Sequence, residues 1–133
     1  MRAVFVDASP ALADVADRLH RQDFELRVHR DAGVQPGALP DVLAGAQIAI
    51  VDHTYVTDAV ARACRGLSHI VFLGTGARSY MDPHTLGRLG ITVHTIKGYG
   101  DTAVAEHAIA LMWAGAKGLA RMDREIRAGN WLR

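Results

Sequence analysis

The chain alternates short apolar, β-branched runs with stretches of helical periodicity, and this alternation restricts its fold more than any other feature. Ala3-Val4-Phe5-Val6, Phe24-Glu25-Leu26-Arg27-Val28, Ile48-Ala49-Ile50-Val51, Ile70-Val71-Phe72-Leu73 and Ile91-Thr92-Val93-His94 all have strand length. The Ile48 run is apolar at every position, as a parallel strand covered on both faces must be. Helix signals separate the runs. Ser9-Pro10 supplies an N-cap followed by a residue with no N–H to lose, and Leu12, Val15, Ala16 and Leu19 make a stripe at helical spacing. Shorter helices are predicted over 40–44, from Thr57 onward and over 82–89.

Five strands with helical crossovers predict an α/β fold, a flavodoxin-like three-layer sandwich around a five-stranded parallel sheet. A long C-terminal helix follows, because the pattern from Thr102 to Ala128 is nearly unbroken. Val104, Ala108, Leu111, Gly115, Leu119, Met122 and Ile126 share one stripe of it, yet Ile109, Met112 and Trp113 lie off that stripe. A helix apolar nearly all round wants burial on several sides, and a sheet of this size covers one. Val104, Ala108 and Leu111 are therefore expected to cover the sheet, and the remaining apolar residues to pack in a homodimer through helix 102–128.

Composition narrows the function. Fifteen basic residues against fourteen acidic leave a net charge of +1, which is no electrostatic footprint for nucleic acid or an acidic membrane. No run has the length of a membrane span or the form of a signal peptide, so a soluble, cytoplasmic protein is expected. The 133 residues suffice for one core rather than two. Cys64 has no disulfide partner and sits in an apolar stretch, as a small core residue would. His20, His29, His69, His84 and His94 show no metal-ligand spacing, so no metal is expected.

Open parallel sheets take ligands beyond the carboxyl ends of their strands. Those ends carry Asp7, Asp52-His53-Thr54, Gly74-Thr75-Gly76 and Lys97-Gly98-Tyr99-Gly100. One reading of the set is a phospho-receiver signalling domain. Asp7 would hold Mg²⁺, Asp52 would accept the phosphoryl group, and Thr75 and Lys97 would neutralise its charge. The plainer reading is that strand-end Asp residues cap the turns that follow them. Gly74-Thr75-Gly76-Ala77 lets backbone N–H groups approach an anion and form a nest for a carboxylate, although a turn needing positive φ would use the same glycines. His53, beside Asp52, is a candidate ligand contact. Thr102 reads as the N-cap of the tail helix.

Gly90-Ile91-Thr92-Val93, Thr95, Thr102-Ala103-Val104-Ala105-Glu106-His107 and Gly129-Asn130-Trp131, with Gly74-Thr75-Gly76 upstream, resemble the D-isomer-specific 2-hydroxyacid dehydrogenases. The resemblance covers the layout of the chain and is most specific from Leu73 to Trp131. It implies an NAD(P)-dependent oxidoreductase that moves a hydride between nicotinamide and C2 of a 2-hydroxy or 2-oxo acid. Residues 1–100 would be its substrate-binding domain, and 101–133 an interdomain connecting helix and hinge. The chain would then stop at Arg133 before the Rossmann domain and its G-x-G-x-x-G segment. Gly74-Thr75-Gly76 finds no third glycine in Ala77-Arg78-Ser79, so NAD or NADP belongs to the longer parent and none is expected bound here. The family's catalytic Arg, Glu and His fall in the missing part, so no catalytic residue is assigned and the fragment alone is expected to be inactive.

By the same resemblance, Gly74, Thr75, Gly76 and Ala77 hold the carboxylate of a small 2-hydroxy or 2-oxo acid, aided by His53, Lys97 and Gly100. Thr75 and Thr102 would meet the cofactor. His94, Ile96-Lys97, Gly100 and Arg78-Ser79 depart from residues common in the family, and the particular acid is not implied.

Overall fold

The computed structural model describes residues 1–19 and 24–131. Residues 20–23 and 132–133, His20 and Arg133 among them, lie outside that set. The chain divides into two compact units, Met1–Lys97 and Gly98–Arg133.

The first unit runs β1 (Arg2–Phe5), α1 (Pro10–Arg18), β2 (Glu25–Val28), α2 (Leu39–Val42), β3 (Ile48–Val51), α3 (Asp58–Ala63), β4 (His69–Phe72), α4 (Pro83–Arg88) and β5 (Thr92–Thr95). Two 3₁₀ turns, Pro36–Ala38 and Ala77–Ser79, were not among the predicted elements. All five strands pair in parallel in the order β2-β1-β3-β4-β5. That is the flavodoxin-like order, and the expected fold is observed.

Alternate strand residues feed two cores. Val4, Ala49, Val51, Ile70 and Phe72 face one side, where Leu39, Ala61 and Leu86 of α2, α3 and α4 complete the larger core. Phe5, Leu26, Val28 and Ile50 face the other side, against Ala13 and Ala16 of α1. Helices therefore flank the sheet on both faces, which makes the three layers. Fully buried side chains such as Ile70 and Leu86 contribute about 1.5–3 kcal/mol each by leaving water. Cys64 is buried as expected, and burial pushes its thiol pKa up.

Ser9 caps α1 as predicted, its hydroxyl accepting from the Leu12 N–H at 3.4 Å. The buried edge of that helix differs from the predicted stripe: Ala13 and Ala16 are buried, whereas Val15 and Leu19 are exposed. Two alanines let α1 sit close to the sheet, and the larger residues are left at the rim.

The second unit holds α5 (Asp101–Lys117) and α6 (Leu119–Arg127). The predicted continuous helix is broken at Gly118, which adopts φ +64°, the left-handed conformation that ends helices and that glycine reaches without strain. Neither helix contains a buried residue. Val104 and Leu111, expected to be covered, are 69% and 60% exposed, and Ala108 is exposed with them. The apolar residues of α5 are spread round its axis, so no one face gathers them. Among the described residues, no helix is long and apolar enough to cross a membrane.

Candidate functional site

The strand order reverses between β1 and β3, and at such a point the carboxyl ends of the strands open a crevice. Asp7 follows β1 there and is only 3% exposed. Its Oδ1 accepts from the Asp52 N–H at 2.9 Å. Its Oδ2 accepts from the N–H groups of His53 at 2.7 Å and Thr54 at 2.8 Å, and from the Thr54 hydroxyl at 2.8 Å. A carboxylate only accepts and all four partners donate, so the buried group is satisfied.

Asp7 therefore pins the loop after β3 instead of capping the turn after β1. The phospho-receiver reading fails on this geometry, because a carboxyl ringed by donors is not presented to a cation. Among the described residues, no three His, Cys, Asp or Glu side chains gather where they could hold a metal ion.

The pinned loop carries an acid–imidazole pair. His53 Nδ1 lies 2.8 Å from Asp52 Oδ2, with the His53 side chain 69% exposed and that of Asp52 23%. A carboxylate at Nδ1 holds a proton on that nitrogen and leaves Nε2 for a ligand. The imidazole stands edge-on to Tyr80, with centroids 5.6 Å apart and planes at 88°. Tyr80 in turn packs on Tyr55 and Phe72. His53 is thus held both through its nitrogen and along its ring edge.

Tyr80 connects this pair to the glycine loop, since its N–H donates to the Ala77 carbonyl at 3.0 Å. Neither Gly74 nor Gly76 has positive φ, so a left-handed turn is not what either glycine serves. Gly74 is required by space: a Cβ there would lie 2.8 Å from the Phe72 ring. Its N–H bonds the Phe72 carbonyl at 2.8 Å, which removes Gly74 from the expected carboxylate donors. Gly76 has neither constraint, with φ −94° and open space where a Cβ would stand. Among the described residues, the N–H groups of Thr75, Gly76, Ala77 and Arg78 meet no protein acceptor. These donors sit at the carboxyl end of β4, where an anion can use them.

The loop does not fit a dinucleotide pyrophosphate. It leads into the three-residue 3₁₀ turn Ala77–Ser79, whereas a phosphate cradle needs a long helix start with its aligned N–H groups.

The remaining predicted residues are not drawn into this cluster. Lys97 closes the first unit as an exposed side chain without an ion pair among the described residues. Gly100 and Thr102 belong to the second unit. The N-cap position of α5 is Gly100, and Thr102 lies inside the first turn, which corrects its predicted capping role.

Two features escaped the sequence reading. From sequence Asp7 reads as a metal ligand or a local cap, because partners 45–47 residues away leave no local signal. His69 and His94, assigned no role, meet across β4 and β5 with Nδ1 and Nε2 3.2 Å apart. The β4–β5 register, which opposes His94 to Val71, was the missing information.

No family model matches the chain. It is 28% identical over 126 residues to D-3-phosphoglycerate dehydrogenase of Archaeoglobus fulgidus, a match covering 95% of this chain and 24% of that protein. An acyclic imino acid reductase solved with NADPH and D-arginine superposes with a TM-score of 0.80 and 25% identity, covering 100% of this chain and 43% of the reductase. The D-lactate dehydrogenase of Escherichia coli superposes with a TM-score of 0.67 at 19% identity, covering 99% of this chain and 42% of the enzyme, a likeness of fold. The chain thus spans about a quarter to two fifths of the length of these relatives. Motifs, sheet order and relatives agree that this chain resembles the D-isomer-specific 2-hydroxyacid dehydrogenases, matching a minor part of each relative's length.

Proposed function

We propose that the chain is the substrate-binding portion of an NAD(P)-dependent D-2-hydroxyacid dehydrogenase and takes the carboxylate of a small 2-hydroxy or 2-oxo acid. The observation that carries this reading is the run of free N–H donors from Thr75 to Arg78 beside Gly76, a glycine that no steric or dihedral constraint demands. Oriented backbone donors suit a carboxylate, which offers acceptors only. His53, held by Asp52, is the side chain of this cluster offered to the rest of the ligand. Residues 1–100 act as the binding domain and 101–133 as a connecting helix and hinge.

By the resemblance, cofactor and chemistry are assigned to a longer parent enzyme. Thr75, Thr102 and Gly100 are contacts within that larger assembly. The exposed apolar surface of α5 is assigned to a homodimer, and the protein to the cytoplasm.

Calorimetric titration of the chain with NADH is expected to show no tight binding, and assays with glyoxylate, pyruvate or hydroxypyruvate no turnover. In amide NMR spectra, pyruvate is expected to shift the resonances of Thr75 to Arg78. Turnover above a heat-killed control would overturn the division of labour. A silent 75–78 loop would overturn the carboxylate site.

A further inference from the structure

The loop after β3 presents a charge pattern that bears on which acids the site accepts. Asp52 carries a negative charge, and His53, bonded to it at 2.8 Å, is either neutral or singly positive. The pair is therefore negative or neutral in both protonation states of the imidazole, and never positive. With the imidazole neutral, Nε2 offers a lone pair outward. The loop cannot readily swing to present a different surface, because one buried carboxyl, that of Asp7, takes three consecutive N–H groups of it and the Thr54 hydroxyl. Tyr80 fixes the ring edge of His53 and, through its N–H to Ala77, ties the pair to the turn that carries the free donors.

The two halves of the site are thus opposite in character. Thr75 to Arg78 offer donors, which suit the carboxylate of a ligand. With the imidazole neutral, Asp52 and His53 offer acceptors and negative charge, which suit a donor at the ligand's other end. We propose that the Asp52–His53 pair reads the far end of the bound acid, favouring 2-oxo acids that end in a cationic or other hydrogen-bond-donating group over those that end in phosphate or carboxylate. This inference rests on the carboxylate site proposed above and adds a selectivity to it. Asp7 and Tyr80 are its positioning residues.

Three 2-oxo acids of equal chain length separate the possibilities: 5-guanidino-2-oxopentanoate, 2-oxopentanoate and 2-oxoglutarate. Each is titrated into the ¹⁵N-labelled 133-residue chain, and dissociation constants are read from amide shifts at 52–54 and 75–78. The guanidino acid is expected to bind most tightly and 2-oxoglutarate most weakly. The spread between them is expected to be about tenfold, the size of one charge–charge contact near a protein surface. Asp52→Asn should bring that ratio toward one, and His53→Gln should reduce the shifts at 52–54 caused by the guanidino acid.

Equal or tighter binding of 2-oxoglutarate by the unaltered chain would overturn the inference without recourse to any variant. So would shifts confined to 75–78 for all three acids, an outcome that leaves the carboxylate site standing. Silence at both loops with every acid would remove the carboxylate site and the selectivity together.

Discussion

The two units of this chain solve the problem of apolar surface differently. In Met1–Lys97, strand residues alternate between two cores, and large side chains such as Leu39, Ile70 and Leu86 are fully buried. In Gly98–Arg133, side chains just as apolar, among them Ile109, Met112 and Trp113, are more than half exposed. The first unit is satisfied within itself. The second contains α5, which has the composition of a buried helix, yet none of the unit's described residues is buried.

Core truncation separates the two regimes most sharply. Ile70→Ala is expected to destabilise the sheet by about 3–4 kcal/mol through lost burial and a residual cavity. Leu111→Ala in a dissociated chain should cost well under about 1 kcal/mol. Urea unfolding followed by circular dichroism measures both. Equal losses would show that α5 is packed as tightly as the sheet.

Asp7→Asn comes next. An amide in place of the carboxyl would aim its NH₂ at groups that already donate, and the expected cost is about 2–3 kcal/mol. The amide resonances of residues 52–54 should shift with it. A variant of unaltered stability would mean that the loop is held by other contacts.

For the helical unit the informative variable is concentration. Sedimentation equilibrium is expected to show a homodimer, and Trp113→Lys to weaken it at least about tenfold, roughly 1.4 kcal/mol. A monomer at micromolar concentration, unaffected by that substitution, would show that α5 finds its cover elsewhere.

The smallest effect belongs to the start of α4. The Thr85 hydroxyl at 2.7 Å and the His84 N–H at 3.0 Å both donate to Asp82, and they hold its pKa below the ordinary value of 3.8. Because the folded pKa is the lower one, the stabilisation is complete above the ordinary value and is lost as pH falls through the folded pKa. An NMR titration of the His84 amide should find its midpoint below 3.8; a midpoint at or above that value would contradict the cap.

How legible each feature was depended on whether its cause was local. The strands could be read because each buries its own residues, and Ser9-Pro10 because a cap acts within one turn. The break in the tail helix is not legible because Gly118 resembles Gly115 in the sequence, yet only Gly118 adopts left-handed φ. The glycine loop follows β4, as its place after an apolar run implies, but the reason for Gly74 is not local, since the ring of Phe72 that excludes a Cβ is visible only in three dimensions. His53 was picked out beside Asp52, whereas the Tyr80 ring against it lies 27 positions further on and carries no motif.

The Asp7 bonds also bear on the order in which the molecule assembles. Their partners are separated from it by 45–47 positions, a loop that includes α1, β2 and α2. Ala3 must find Ile48, and the neighbouring pairs must follow, before the carboxyl can reach its donors. Contacts this distant in sequence come after the entropy of loop closure has been overcome, so the segment 52–54 takes shape together with the sheet and not ahead of it. Once formed, the amide protons of Asp52, His53 and Thr54 should exchange with solvent only when the sheet itself opens. A short irregular segment then has the lifetime of the core, and a nascent chain lacking β3 has no trace of the site.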